Sequence, residues 1–454
     1  MTGAVFTPGS PVHLVGIGGA GMSGIARILL QRGERVTGSD LRDSRALEEL
    51  RMLGATVFIG HDAEHVANSE LVVTSSAVAP DNPELVAAQQ RQLPVIRRAE
   101  MLHQLMRDDE SILISGTHGK TTTTSMTVVA LQAGGLDPSF AIGGSLNERG
   151  TNAHAGTDPI FVAESDESDR SFLVFEPDLA VVTNIELDHP DEFRDLDEVI
   201  EVFETFLHRR TDNGSAVVCS DDPVVARVAE QIAGRVLRYG SGPQADVRVV
   251  TDGERCRVRH QGRDVAEFTL RVPGHHNVLN ATAAVAVCLA IDVDPADAAA
   301  GLERFTGVAR RFQVLGSAAN ITVVDDYAHH PTELRATLAA ARTQASHRVV
   351  TIVQPHRYSR TAALGAELGR AAAAADVVVV TDVYASSEAP IPGVSGQLVA
   401  DAAKNAGANV VYVPHLADVA DEVVALLQPG DLVVVTGAGD VTQIGPALLD
   451  RLSV

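Results

Sequence analysis

The sequence predicts an α/β protein built on open, mostly parallel sheets. Short apolar runs alternate with helical patterns along nearly the whole chain. Two glycine-rich loops, at 16–21 and 116–119, stand between a strand and a helix, where an anion is bound. Polar side chains collect just after strands, on the edge where parallel sheets bind ligands. A chain of 454 residues is too long for one core, so two to four domains are expected.

The stretch Ser-Ile-Leu-Ile-Ser-Gly-Thr-His-Gly-Lys-Thr-Thr-Thr-Thr from Ser111 organises the rest. Ser111 to Ser115 reads as a buried strand and Gly116 to Lys120 as a tight loop. The threonines open a helix that stops at Gly134 and Gly135. Backbone N–H groups and a helix N-terminus then face a phosphate, Lys120 reaches the outer phosphates, and the Thr121 hydroxyl sits on Mg2+. The spacing departs from the general pattern, since only Thr117 and His118 separate the glycines. The chain has just two lysines, Lys120 and Lys404, and otherwise uses arginine. A lysine kept here points to a requirement for a compact, flexible ammonium. The plain alternative is a helix-capping turn with an incidental lysine.

Composition excludes several classes. Lys plus Arg number 36 against 59 Asp plus Glu, a net charge of −23, which argues against nucleic acid as the main partner. Cys219, Cys256 and Cys288 are isolated and odd in number, so neither a disulfide framework nor a Cys-based zinc site is expected. The N-terminus lacks a basic region followed by an apolar core, and the apolar run Ala281 to Ile291 is stopped by Asp292. The expectation is a soluble cytoplasmic protein without membrane partners.

In residues 1–107, a strand at Val12 to Val15 leads into Gly16-Ile-Gly18-Gly19-Ala20-Gly21, a helix from Met22 and Ser23, and a second strand with Asp40 at its end. This Gly-x-Gly-x-x-Gly fingerprint, with an acid about 20 residues on, recognises a pyrophosphate. A nicotinamide dinucleotide and a nucleotide-sugar diphosphate would use the same glycines; glycines kept for helix–strand packing are the plain alternative. Ser75 and Ser76 add hydroxyl donors after the strand at 71–74.

In residues 108–314, Gly143 to Asn147 reads as a flexible turn with polar donors. A strand ends at Glu164 and opens the acidic stretch Ser165 to Asp169. Another ends at Thr183, followed by Asn184 and His189. Glu164, Asn184 and His189 all lie at carboxyl ends of strands. A carboxylate and an imidazole near a phosphate suit Mg2+ or a similar ion such as Mn2+; a solvated strand end and a turn before Pro190 are the plain readings. Three short strands within 246–272 predict an antiparallel patch beside the main sheet. Asn277 and Asn280, three apart on one helix face, read as caps in preference to adenine-binding amides.

Residues 315–454 form a second alternating run, another open parallel sheet. Polar clusters follow four of its strands: Asp326-Tyr327-Ala-His329-His330, His356-Arg357-Tyr-Ser-Arg360, Asp382-Val-Tyr384 and Gly437-Ala-Gly-Asp440. Four such clusters at one end of one sheet mark a binding edge. Arg357 and Arg360 suit planar, bidentate recognition of a carboxylate or phosphate.

Across the whole chain these motifs resemble the Mur ligase family. The resemblance is carried by His-Leu-Val-Gly-Ile-Gly-Gly-Ala-Gly-Met from His13, Arg-Ala-Glu-Met-Leu from Arg98, the phosphate loop from Gly116, Glu-Ser-Asp-Glu-Ser from Glu164 and Thr-Asn-Ile-Glu from Thr183. His-Asn-Val-Leu-Asn from His276, Arg-Arg-Phe from Arg310, Asp-Asp-Tyr-Ala-His-His-Pro from Asp325 and Gln-Pro-His-Arg-Tyr-Ser-Arg from Gln354 carry the remainder. The shortened phosphate loop fits this family.

The resemblance implies three domains: a Rossmann-like sheet (1–107) for a UDP-sugar, a central P-loop ATPase-type sheet with a small antiparallel patch (108–314) for ATP and Mg2+, and a C-terminal Rossmann-like sheet (315–454) for an amino acid. Gly16, Gly18, Gly19, Ala20, Gly21, Met22, Ser23, Asp40, Ser75 and Ser76 would bind the UDP-sugar. Gly116, Thr117, His118, Gly119, Lys120, Thr121, Thr122, His276, Asn277, Asn280, Arg311 and Asp326 would bind ATP. Tyr327, His329, His356, Arg357 and Arg360 would bind the amino acid. Thr121, Glu164 and His189 would hold the metal, and Lys120, Glu164, His189 and His329 would be catalytic. Some members carry a carbamylated lysine beside a second metal; no lysine lies between Lys120 and Lys404, so that device is absent here.

The implied reaction joins L-alanine to the lactyl carboxylate of UDP-N-acetylmuramate through an acyl phosphate made from ATP, in a monomer or weak homodimer. Competing readings are a sister ligase that attaches a whole peptide, a nicotinamide-dependent oxidoreductase, and a nucleotide-binding protein without catalysis.

Overall fold

The computed structural model describes residues 6–146, 150–168 and 170–453; Asn147 and Asp169 of the sequence reading lie outside them. The chain is α/β with three sheets. The first comprises β1 (Val12–Val15), β2 (Val36–Asp40), β3 (Thr56–Ile59), β4 (Leu71–Thr74) and β5 (Val95–Arg97), all parallel in the order β3-β2-β1-β4-β5. All four residues of central β1 are buried, as a strand covered on both faces requires. Strand order reverses between β1 and β4, and the crevice at their carboxyl ends is where such sheets take ligands. Helix Ala20–Gln31 begins beyond β1.

The central sheet comprises β6 (Glu110–Ser115), β7 (Ser139–Leu146), β8 (Thr151–His154), β9 (Ile160–Glu164), β10 (Leu179–Val182), β11 (Ser215–Cys219), β12 (Arg235–Gly240), β13 (Val247–Asp252), β14 (Arg255–His260) and β15 (Arg263–Thr269). Its order is β15-β14-β13-β12-β11-β10-β6-β9-β7-β8. The antiparallel trio is not a patch beside the sheet but its continuation, because β13 pairs in parallel with β12. Alternation holds within the trio: on β14, Cys256 and Val258 are buried while Arg255 and Arg259 face solvent. Gly143 and Gly144 lie within β7 rather than in a turn, where its pairing with β8 becomes irregular between Ala141 and Leu146.

The third sheet comprises β16 (Gln313–Ala318), β17 (Ile321–Asp326), β18 (Val349–Val353), β19 (Val377–Val380), β20 (Asn409–Tyr412) and β21 (Leu432–Thr436), in the order β16-β17-β21-β18-β19-β20. It is parallel except for β16, an antiparallel edge strand that the sequence reading lacked. Ala319 and Asn320 close that hairpin with φ of 49° and 60°, the left-handed pair of a two-residue turn. Neither is glycine, so the usual signal was missing.

The chain forms two compact units. One comprises residues up to Ile185 with Ile200–Thr269 and Asn280–Arg304, and so holds the first two sheets. The other comprises Glu186–Val199, Leu270–Leu279 and Phe305–Val454.

In the first unit, Phe172 is fully buried between Phe203 and Phe206 of helix Leu196–His208, with ring centroids 5.5 and 4.9 Å away. Phe172→Ala opens a cavity there and is expected to cost about 3–5 kcal/mol. Urea denaturation followed by circular dichroism checks this; a loss below about 1 kcal/mol would show that the site collapses around the smaller residue.

Candidate functional site

The phosphate loop follows β6. Gly116 sits at φ 135°, and a Cβ there would collide with the Thr183 hydroxyl, so only glycine fits the turn. The end of β10 frames the loop. Asn184 accepts the Thr117 N–H at its carbonyl (3.0 Å) and the His118 N–H at Oδ1 (2.8 Å). The Thr183 hydroxyl and the Asn184 amide both donate to the His118 carbonyl, at 2.7 and 2.9 Å. Helix Lys120–Ala133 then begins with Gly119 at its N-cap position.

The Lys120 side chain is 12 % exposed. Its ammonium donates to the Gly116 carbonyl (2.7 Å), the Thr117 carbonyl (3.3 Å) and both oxygens of Glu167 (2.9 and 2.8 Å). Burial opposes its charge, but Glu167, Asp166 and Glu164 outweigh that and hold the lysine protonated. Burial pushes Glu167 up to about 7 against the pull of Lys120. Thr121 donates to Glu164 Oε2 at 2.9 Å, and the Gly143 N–H reaches the same oxygen at 2.8 Å. Thr122 is buried in the first turn of the helix. Asn280 takes the Thr123 hydroxyl at Oδ1 (3.1 Å), a contact out of its own helix that capping would not make.

At the first sheet, Gly16 and Ile17 donate to the Ser39 carbonyl (2.8 and 3.0 Å), Gly18 donates to Asp40 Oδ2 (2.9 Å), and Gly19 closes on the Gly16 carbonyl (3.1 Å). Asp40 thus shapes the loop. Met22 and Ser23 are buried in the first turn of the helix, and Ser23 donates to the Ala20 carbonyl. Ser75 and Ser76 follow β4 in a turn at its carboxyl end. Ala20, Gly21, Arg98, Gly143, Glu164 and Asp166 line one cavity of about 200 Å³. A Cβ on Gly21 would lie 2.9 Å from Arg98 Cδ, so the glycine admits the arginine stem over the helix terminus.

The second unit holds the amino-acid candidates. Arg360 Nε donates to buried Asp188 (2.9 Å), while its other nitrogens lie 3.2 Å from His356 Nδ1 and 3.4 Å from His189 Nδ1. Burial would raise Asp188, but Arg360, His189, His329 and His330 hold it well below the usual carboxylate range. Arg357 pairs with Asp191. His356 stacks on Tyr384 at 5.7 Å and meets His329 edge-on at 5.7 Å. His329 Nδ1 lies 3.0 Å from the Tyr327 carbonyl, and Arg310 and Arg311 cover the Tyr327 ring at 4.9 and 5.0 Å. Asp326 accepts the Phe312 and Ala328 N–H groups (2.7 and 2.8 Å), and burial pushes it up to about 6. Burial holds His276, His329 and His356 down to about 4, 4 and 3. The Asn277 amide donates to the Pro273 carbonyl at 2.7 Å.

Three neighbours of these residues had no assigned role in the sequence reading: Glu167, Arg98 and Asp188. The first two stand inside quoted motifs, and Asp188 directly precedes His189. Only their partners, distant in sequence, single them out.

Three family models match the chain: Mur ligase family, catalytic domain, over residues 11–110; Mur ligase middle domain over 114–288; and Mur ligase, glutamate ligase domain, over 310–439. The UDP-N-acetylmuramate–L-alanine ligase of Acidothermus cellulolyticus is 50 % identical over 450 residues, covering 97 % of this chain and 94 % of that one. The crystal structure of the UDP-N-acetylmuramate-alanine ligase of Thermotoga maritima superposes with a TM-score of 0.82 at 30 % identity, covering 97 % and 99 % of the two chains. A murein peptide ligase of Psychrobacter arcticus has a TM-score of 0.72 at 24 % identity, covering 98 % and 99 %, a likeness of fold alone.

The neutral imidazoles set an acid limit on the second unit. Unfolded histidine takes up a proton near pH 6.5, whereas the folded chain refuses it until about pH 4 at His329 and His276 and about 3 at His356. The unfolded state therefore binds more protons in that window, and stability falls as pH drops from 6.5 toward 4. Asp326, pushed up to about 6, and Asp325, raised by burial, act in the opposite sense, as does Glu167, pushed up to about 7, in the first unit. Urea midpoints at pH 7.5 and pH 5 are expected to fall on acidification, with a shallower slope in the variant carrying His329→Gln and His356→Gln. An unchanged slope would remove these imidazoles as the cause.

Proposed function

The chain belongs to the Mur ligase family, and from that premise we propose that it joins L-alanine to the lactyl carboxylate of UDP-N-acetylmuramate at the expense of ATP. The observation that carries the reading is the 200 Å³ cavity of the first unit. Its walls combine the helix terminus of a pyrophosphate-type glycine loop, the guanidinium-bearing Arg98, and Glu164, which is hydrogen-bonded to the threonine that follows Lys120. A sugar nucleotide held by the first loop would place its acid end toward the phosphate loop, as carboxylate activation requires.

A carboxylate is a poor acyl donor because oxide would have to leave. Attack of one carboxylate oxygen on the γ-phosphorus of ATP releases ADP and gives an acyl phosphate. The amine of L-alanine then attacks the carbonyl carbon, inorganic phosphate leaves, and the amine gives up its proton. The first step gathers several negative oxygens, so charge neutralisation dominates. Lys120 supplies one fixed positive charge there. The Thr121 hydroxyl and the Glu164 carboxylate, 2.9 Å apart, are hard oxygen donors that fit Mg2+. Such an ion, when bound, would screen the phosphate oxygens.

The amino-acid residues divide by tautomer. The Tyr327 carbonyl requires a proton on His329 Nδ1, which leaves the Nε2 lone pair to orient the alanine ammonium. Arg360 donates to His356 Nδ1, which puts the proton on His356 Nε2 and suits it to a carboxylate. Arg357 and Arg360 would supply positive charge to the same carboxylate. Asn277, Asn280, His276, Arg311 and Asp326 remain the candidate ATP residues.

Phosphate release from ATP with Mg2+, measured while one component is omitted at a time, tests the reading. Release is expected only with UDP-N-acetylmuramate and L-alanine together. Release with the sugar nucleotide and a tripeptide, but not alanine, would replace this reading with the peptide-attaching one. Lys120→Ala is expected to lower turnover by about 10³-fold or more without unfolding the chain. Arg98→Ala is expected to raise KM for the sugar nucleotide about tenfold and leave KM for ATP unchanged; the reverse pattern would move Arg98 to the nucleotide side.

A further inference from the structure

Behind the glycine loop of the first sheet lies a polar cluster that this reaction does not use. Glu84, in helix Pro83–Gln90, is fully buried, and donors ring its carboxylate. Oε2 accepts the Ser39 hydroxyl at 2.6 Å and faces His61 Nδ1 at 3.1 Å. Oε1 faces His65 Nδ1 at 2.7 Å and His13 Nε2 at 3.7 Å. Four segments meet on this one acid: β1 through His13, β2 through Ser39, the loop after β3 through His61, and the turn Ala63–Val66 through His65. Ser39 and His61 also meet each other, at 3.0 Å, and two of the partners and the acid's own backbone are held in turn. His13 Nδ1 bonds the Thr37 hydroxyl at 2.8 Å, the His65 ring stacks on Phe58 at 4.1 Å, and Asn82 accepts the Glu84 N–H at 2.9 Å. Burial would raise the acid, but His13, Ser39 and His65 hold it down to about 2, so it is a carboxylate throughout the neutral range.

The end of β2 passes this order to the glycine loop. The Ser39 carbonyl takes the N–H groups of Gly16 and Ile17, and the next residue, Asp40, takes that of Gly18. Three consecutive loop amides thus hang on two residues, one of which is fixed by Glu84. With those amides held, the first turn of helix Ala20–Gln31 keeps its own N–H groups for an anion.

We propose that Glu84 is a positioning residue for the sugar-nucleotide site: acting through Ser39, it holds the end of β2 and thereby the shape of the Gly16–Gly21 loop. This rests on the reading of that loop as the binder of UDP-N-acetylmuramate.

Two variants and two readouts test it. Glu84→Ala removes the acid, and Ser39→Ala removes a single buried hydroxyl and folds even where the first does not. Both are expected to raise KM for UDP-N-acetylmuramate, about tenfold and about threefold respectively, with kcat and KM for ATP within about twofold of wild type. Amide hydrogen exchange at Gly16, Ile17 and Gly18 is expected to speed up at least about tenfold, with the strands of the central sheet unaffected. Unchanged exchange in Ser39→Ala overturns the proposal, as does a rise in KM for ATP that matches that for the sugar nucleotide, which would mark a general structural role. A wild-type protein that does not bind the sugar nucleotide would defeat the function reading instead, and exchange at the three amides would still decide the role of Glu84.

Discussion

An ammonium largely withdrawn from water must be met by acceptors, and the phosphate loop is built around that demand at Lys120. Two loop carbonyls and both oxygens of Glu167 lie within 3.3 Å of Nζ. Charge-assisted bonds of this kind contribute about 1.5–3 kcal/mol each, against a desolvation cost of several kcal/mol. The loop can present its carbonyls inward only because Gly116 adopts a left-handed turn beneath Thr183. Asn184 then fixes the other side of the loop through the amides of Thr117 and His118, and the Thr183 hydroxyl does so through the His118 carbonyl.

The same device recurs at each sheet edge. Asp40 and Ser39 gather the amides of the first glycine loop. Asn184 gathers those of the phosphate loop, and Asp326 gathers those of Phe312 and Ala328. In every case a polar residue just beyond or at the end of a parallel strand accepts backbone N–H groups from a neighbouring connection. Loops are irregular, so their backbone groups need partners outside the ladders. Supplying those partners at strand ends places rigid loops where parallel sheets bind ligands.

Much of the fold could be read locally. Runs such as Leu71–Thr74 and Val377–Val380 are short, apolar and β-branched, and each is a buried strand. The phosphate loop was legible despite its unusual spacing because Lys120 is one of two lysines and follows an apolar strand. The four polar clusters at the end of the third sheet were legible as a group; His356 and Tyr384, read as members of separate clusters, stack there. What escaped was either weakly signalled or long-range. β16 escaped because its hairpin turns on Ala319 and Asn320. Gly143 and Gly144 resembled a turn because glycine marks turns and bulges alike.

The sequence by itself determined the α/β class, the positions of both glycine loops, the placement of Lys120 at the second of them and the family, because each is carried by neighbours along the chain. Only the tertiary structure brought out the acids that the local pattern passed over. Asp188 is paired with Arg360 across 172 positions, Glu167 with Lys120 across 47, and Glu84 with Ser39 across 45. An acid in a sequence of 59 looks like any other until folding removes it from water. Burial then makes an unmatched charge costly, and the partner that matches it is set by the packing of elements that the local pattern does not specify.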